Sequence, residues 1–292
     1  MNLAVLMTCY NRKETTLRCL ASLLQAMRRV ASQGGEKTFH LFLVDDGSSD
    51  GTSEAVRKWH EEVRPFANFN FRLKLIAGTG DLFWSRGMAL AWKEALRCEQ
   101  GQLFAADAFS HFLWLNDDVL LDADALQVLL ADAEATGDAG AIVGAFLDGR
   151  GNMTYGVQEN WQWVQPTGAP RETGGDMSGN LVLIPRPVME KVGIIADWYS
   201  HAYGDYDYSA RMRKAGVKCY LASKICGRCD NDKPDYALEA KSLIERIECL
   251  FKPNGHNWRD AIVYRWKYFG FWRTVLTAVH VPYLVIRGKG SR

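Results

Sequence analysis

Val44-Asp45-Asp46-Gly47-Ser48-Ser49-Asp50-Gly51-Thr52 is the stretch whose reading decides the fold. An apolar run, Phe39–Val44, feeds an acidic turn, and a helical pattern follows from about Thr52 to Val63. Strand, polar turn and helix make the repeating unit of a largely parallel sheet, in which the loops at strand carboxyl ends open onto helix N-termini. Asp, Ser and Gly also suit an ordinary helix-capping turn, so this stretch alone leaves both readings open.

The same alternation extends outward on both sides. Leu3–Thr8 reads as a buried strand, and Leu17, Leu20, Leu24 and Met27 recur at three and four, predicting an amphipathic helix that ends before Gly34-Gly35. Downstream, Phe71–Ala77 is a strand, Arg86–Cys98 a helix, His111–Leu115 a strand running into Asn116-Asp117-Asp118, and Asp122–Glu134 a helix. Ala141–Phe146 and Leu181–Pro185 are further strands, separated by a Gly-, Trp- and Gln-rich region of weak periodicity. Asp207–Ala215 is predicted helical and Val217–Leu221 a late strand. A charged amphipathic helix over Asp235–Phe251 then gives way at Lys252-Pro253-Asn254-Gly255. The predicted class is α/β, a Rossmann-like, mostly parallel sheet flanked by helices. A change of composition near residue 230 separates 1–230 from a helical extension, 231–292.

With 48% hydrophobic and 24% charged residues over 292 positions, the chain is neither disordered nor a small disulfide scaffold. Its net charge of +1 provides no global field for nucleic acid, and no nucleic-acid partner is expected. The distribution is uneven: His256–Arg292 carries seven basic residues against Asp260, a net +6, while residues 1–255 are net −5. Seven cysteines, an odd number mostly inside apolar runs, point to a reducing compartment. Met1–Thr8 lacks the features of a signal peptide, so a cytoplasmic location is expected. The apolar run Thr274–Ile286 is shorter than the roughly 20 residues that span a bilayer, and a transmembrane helix is not expected.

Three polar clusters fall at predicted strand carboxyl ends: Thr8–Arg12, Asp45–Ser48 and Asn116–Asp118. Two carboxylate-rich loops meeting at one sheet edge repel unless something positive lies between them. Paired Asp residues are an oxygen-donor set suited to Mg²⁺ or Mn²⁺, with further ligands supplied by a substrate diphosphate. Thr8–Arg12 contains no glycine and no Walker A sequence occurs, which argues against dinucleotide-binding and P-loop readings.

Thr8-Cys9-Tyr10-Asn11-Arg12, Val44–Thr52, Trp114-Leu115-Asn116-Asp117-Asp118 and Gly204-Asp205-Tyr206-Asp207-Tyr208-Ser209-Ala210-Arg211 occur in the order seen in family 2 glycosyltransferases of the GT-A fold, which the first 230 residues resemble. The resemblance implies an inverting, metal-dependent hexosyl transfer from a nucleotide-diphosphate sugar to a glycan or lipid-linked acceptor, of the kind that builds bacterial surface polysaccharide. It assigns Thr8, Tyr10 and Arg12 to the nucleotide, Asp46 to the base with Asp45 supporting the turn, and Asp118 to the metal. Asn116 takes the first position of the family's Asp-x-Asp element, and Asp117 lies near the ribose or sugar. The loop Gly78–Gly87 lies against the donor, with Gly80 allowing close approach, Arg86 facing the diphosphate and Trp84 offering a wall to a sugar ring, or serving only the core. Asp205 becomes the catalytic base and Asp207 its structural support, with Asp207 as the rival for the base; the alternative reading of Asp207 and Arg211, at i,i+4, is a helix-surface ion pair. The stretch Ser223–Asp232 has none of the histidines that many relatives use for metal.

The tail interleaves its cations with Trp258, Tyr264, Trp266, Tyr268, Phe269, Phe271, Trp272 and Tyr283. Basic plus aromatic, with an apolar run, predicts peripheral binding of residues 256–292 to an anionic leaflet, the inner face of the plasma membrane. The alternative is packing on the catalytic domain or on a second subunit, giving a homo-oligomer. The rival functional reading is a non-catalytic, membrane-associated glycan- or nucleotide-binding protein that keeps the fold.

Overall fold

The computed structural model describes residues 1–63, 69–100, 108–230, 241–253 and 257–288. The chain opens with β1 (Asn2–Cys9), α1 (Lys13–Ala31), β2 (Lys37–Asp45), α2 (Thr52–Glu62), β3 (Phe69–Ala77), α3 (Phe83–Gln100) and β4 (His111–Leu115). A two-residue strand β5 (Leu120–Leu121), helix α4 (Ala125–Ala135) and strand β6 (Gly140–Leu147) follow. The weakly periodic region holds five short strands, β7 (Met153–Tyr155), β8 (Val157–Glu159), β9 (Gln162–Trp163), β10 (Arg171–Thr173) and β11 (Asp176–Met177). Then come β12 (Leu181–Pro185), α5 (Arg186–Val192), α6 (Gly204–Lys214), β13 (Lys218–Arg228), α7 (Leu243–Phe251) and α8 (Trp258–Ile286).

The main sheet runs β10-β13-β6-β12-β4-β1-β2-β3. β1 lies parallel to both β2 and β4, and β2 parallel to β3, while β12 is antiparallel to β4 and β6. Connections run from β1 outward to β2 and β3, then return to place β4 on its other side. The direction of the connections reverses between β1 and β4, and an open α/β sheet takes its ligand in the crevice beyond the carboxyl ends of such strands.

Both faces of the sheet are covered, and alternation along β1 shows how. Leu3, Val5 and Met7 pack with Leu20, Leu23 and Met27 of α1 and Leu126 and Leu129 of α4. Ala4 and Leu6 point the other way, toward Met88, Trp92 and Ala95 of α3 and Tyr208 and Met212 of α6. Two-residue alternation with both faces buried turns each strand into a continuous apolar run, which is why the sequence marks them so clearly.

Several boundaries differ from the sequence expectation. α3 begins at Phe83, not Arg86, because the first amide of the helix is satisfied by Asp46, 37 residues away, instead of by a neighbouring cap. β13 continues past Leu221 to Arg228 through register irregularities around Ile225. The predicted helix from Asp235 is observed as α7 from Leu243, capped by Ser242 and Glu245 in a capping box, and residues 231–240 lie outside the described residues. The proposed boundary at 230 adjoins that stretch. All seven cysteines are buried free thiols.

The tail forms one long element: α8 is 29 residues long and, by length and composition alone, apolar enough to cross a membrane. The helix begins at Trp258, well upstream of the apolar run from Thr274. Its backbone leaves helical geometry at Gly270, with φ 78° and ψ 179°.

Candidate active site

Arg12 follows β1, and one of its guanidinium nitrogens lies 3.3 Å from Asp117 Oδ1 and 3.0 Å from Asp118 Oδ2. A positive side chain of the protein thus lies against the acidic loop after β4. Asp117 is buried, and burial pushes its carboxyl up to about 7 against the pull of Arg12. Thr16 also donates to it at 3.3 Å. Asp118 is more open, its side chain 36% exposed at the mouth of the crevice.

Asn116 faces elsewhere: its Oδ1 accepts the indole N–H of Trp84 at 2.6 Å. Trp84 packs edge-on against Trp114, with ring centroids 5.9 Å apart, and lies over Gly179. A Cβ at Gly179 would come within 2.4 Å of the Trp84 ring, so only glycine permits this approach. Gly179 in turn donates its amide to Asp205 Oδ2 at 3.1 Å. A chain of contacts therefore joins Asp205 to Asn116, two residues before Asp118.

The turn after β2 acts on the neighbouring loop. Both oxygens of Asp46, a residue 4% exposed, accept amides, from Gly80 at 2.8 Å and Phe83 at 2.9 Å. These bonds hold the loop that carries Trp84 and Arg86. Asp45 accepts from Ser48 N at 2.9 Å and from the Ser53 hydroxyl, closing its own turn. Thr8 is buried at the end of β1 beneath Gly87, and Tyr10 is exposed at the rim. The Nε of Arg86 is buried with no hydrogen-bond partner among the described residues.

Asp205 sits in the first turn of α6. Burial pushes its carboxyl up to about 6, opposed by the amides of Tyr206 and Gly179 and assisted by the charge of Asp176. Asp207, two residues on, is fully buried and bonded to Arg211 Nε at 2.8 Å, so the expected i,i+4 pair is an interior feature, not a surface one. Asp176 pairs with Arg213 at 2.9 Å. Trp198 is exposed, and the Lys267 ammonium lies 4.6 Å above its ring.

The thiol of Cys229 lies 3.9 Å from Asp118 Oδ1, and Asn180 lies 3.8 Å from the same sulfur. Neither contact follows from spacing, because Cys229 reaches Asp118 only through the extension of β13. At Asp118 the donor chemistry fits a hard divalent ion. Among the described residues no group of three or more His, Cys, Asp or Glu side chains could hold a metal; Mg²⁺ and Mn²⁺ readily accept substrate oxygens and water as further ligands.

Residues 4–193 match the family model for Glycosyl transferase family 2. The chain belongs to this family. No curated protein matches it. Among solved structures the family member resembles a mannosyltransferase from Pyrobaculum calidifontis, described in complex with GDP-Man and Mn²⁺, at 17% identity and a TM-score of 0.54, over 97% of this chain and 69% of that one. It also resembles S. aureus TarS 1-349, at 15% identity and a TM-score of 0.54, over 96% and 75% of the two chains. These likenesses establish the GT-A fold. This family 2 glycosyltransferase is thus an enzyme of nucleotide-sugar glycosyl transfer, and its matched stretch ends before α6, so Asp205 lies beyond it.

Proposed function

We propose that this glycosyltransferase moves a hexose from a nucleotide-diphosphate sugar to a glycan or lipid-linked saccharide, with inversion and with Mg²⁺ or Mn²⁺. The observation that carries the reading is the relay Asp205–Gly179–Trp84–Asn116, which sets a carboxylate with a raised pKa at a fixed place relative to the acidic loop at Asp118. Inversion requires one carboxylate to take the acceptor hydroxyl proton as that oxygen attacks the anomeric carbon. Asp205 holds that position on the acceptor side, and its raised pKa suits a base working near neutrality. A divalent ion bound by Asp118 would neutralise charge building on the departing diphosphate.

Arg12 and Arg86 are the cations of this chain available to the same diphosphate. Arg12 is already at the crevice, and the buried Nε of Arg86 has no hydrogen-bond partner among the described residues, a donor that phosphate oxygens would satisfy. Asp46 works through the loop it holds, keeping Gly80 and Trp84 against the donor. Thr8 and Tyr10 flank the nucleotide, and Asp117 lies toward the ribose.

The exposed face of α7 and α8 supports a membrane location on the cytoplasmic leaflet. Ile244, Phe251, Trp266, Phe271, Trp272, Leu276 and Val279 are exposed, and Arg265, Arg273 and Arg287 lie among the aromatic residues. The segment after Gly270 is about 24 Å long as a helix, short of a hydrocarbon core of roughly 30 Å, which suits lying in the interface. An acceptor anchored in the same leaflet would be in reach, consistent with a role in bacterial surface polysaccharide synthesis. The test is release of nucleoside diphosphate from a panel of UDP-, GDP- and dTDP-sugars with Mn²⁺ and a lipid-linked saccharide extract. Sugar-specific release, absent in Asp205→Asn, is expected; no release from any donor would favour the non-catalytic binding protein.

A further inference from the structure

Asp207 has no exposed surface, yet four side chains bond its carboxylate. Arg211 Nε holds Oδ2 at 2.8 Å from within α6. Tyr199 donates weakly to Oδ1, at 3.4 Å. The other two partners come from the far end of the sequence: Lys267 Nζ and the Tyr268 hydroxyl, both on α8, each lie 2.7 Å from Oδ1. Burial pulls the Asp207 carboxyl upward, but the bonds from Lys267, Tyr268 and Arg211 outweigh it and hold the group below the usual carboxylate range.

The same part of α8 is fastened a second time. Asp260 accepts both the amide and the hydroxyl of Ser200 at 2.8 Å, and the Ser200 carbonyl receives the Ser85 amide from α3 at 3.0 Å. The Tyr264 ring lies 5.2 Å from that of Tyr203, the residue that starts α6 with a left-handed φ of 69°. Gly204 is pressed onto Ser85, where a Cβ would meet the hydroxyl oxygen at 2.3 Å. The first turn of α6 is thus wedged between α3 and α8, and Asp205 projects from it.

We propose that α8 belongs to the catalytic apparatus, with Lys267 and Tyr268 as positioning residues that act through buried Asp207 to fix the turn carrying Asp205. This rests on the reading of Asp205 as the base. An ion removed from water needs its partner: without the Lys267 ammonium the Asp207 charge is under-compensated, and the turn relaxes toward solvent. A displacement of about 1 Å at a reacting group costs on the order of 100-fold in rate.

The experiment measures kcat and donor KM across pH for Lys267→Met, Lys267→Arg and Tyr268→Phe in the full chain. Lys267→Met is expected to lower kcat by about 10- to 100-fold, leave donor KM within about two-fold, and move the acidic limb of the kcat profile upward. The charged and titratable groups facing Asp205 otherwise, namely Asp176, Tyr206 and Tyr264, are unchanged in these variants. Lys267→Arg should restore most of the rate, and Tyr268→Phe should give a smaller loss in the same direction. Wild-type kcat and an unmoved limb in Lys267→Met would overturn the proposal. So would a loss that Lys267→Arg does not rescue and that falls equally on donor KM. Should Lys267→Met fail to fold, Tyr268→Phe decides alone, an unaltered kcat and limb being fatal. Asp205→Asn is run in parallel: if it remains active the base assignment fails, whereas an inactive Asp205→Asn beside a normal Lys267→Met removes only the positioning role.

Discussion

Asp205 Oδ2 receives the amide of Gly179 at 3.1 Å, so the candidate base is held by the backbone that leads into β12. That bond and the Tyr206 amide stabilise the ionised form, and burial outweighs them, leaving the carboxyl at about 6. Only the deprotonated form can accept the hydroxyl proton. The rate kcat should therefore climb about tenfold per pH unit below 6 and level off above it. Asp205→Asn should lose at least about 100-fold in kcat with donor affinity by calorimetry close to wild type. Normal turnover in that variant removes Asp205 from the role.

Gly179→Ala should place a methyl group in the Trp84 ring. The ring has Asn116 at one edge and Trp114 behind it, so it cannot retreat without losing the indole hydrogen bond. Overpacking of this sort costs about 1–3 kcal/mol, read by denaturant titration, and kcat should fall with it. Adding Trp84→Phe shortens the ring and should recover part of the stability. If Gly179→Ala is as stable as wild type, the close approach is not a constraint.

Asp118→Ala should abolish the Mn²⁺-dependent tightening of donor binding, while binding without Mn²⁺ changes little. Electron paramagnetic resonance of free Mn²⁺ gives a direct count of bound ion in the same samples. Undiminished Mn²⁺ binding with nucleotide present would exclude Asp118 as its ligand.

The exposed face of α8 can be tested without touching the residues that reach α6. Trp272→Ser, Leu276→Ser and Val279→Ser together should sharply reduce co-sedimentation with phosphatidylglycerol vesicles and leave nucleotide-sugar binding intact. Raising salt should weaken the wild-type interaction, since each juxtamembrane cation contributes about 1 kcal/mol. Unaltered sedimentation would assign that face to a second copy of the chain.

Much of the architecture can be read from the sequence where structure is local. β1, β2, β4 and β12 are near-continuous apolar runs because both their faces are buried, and the acidic turns at their ends stand out against them. Distant partners break that legibility. The start of α3 depends on Asp46, the orientation of Asn116 on Trp84, and the environment of Asp118 on Cys229, each separated by dozens of residues. The interior position of the Asp207–Arg211 pair was equally hidden, since i,i+4 spacing is the same on a wet face and a dry one.

Gly270 interrupts α8 between Lys267 and Trp272, and so divides a single helix into two stretches with different neighbours. Upstream of it, substitutions are constrained by what Asp207 and Ser200 tolerate. Downstream, Val285 packs with Cys249 and Leu250, so that stretch is tied to α7 and not to α6. What steadies the candidate base and what faces outward are thereby separable along one helix, with one residue serving as the seam.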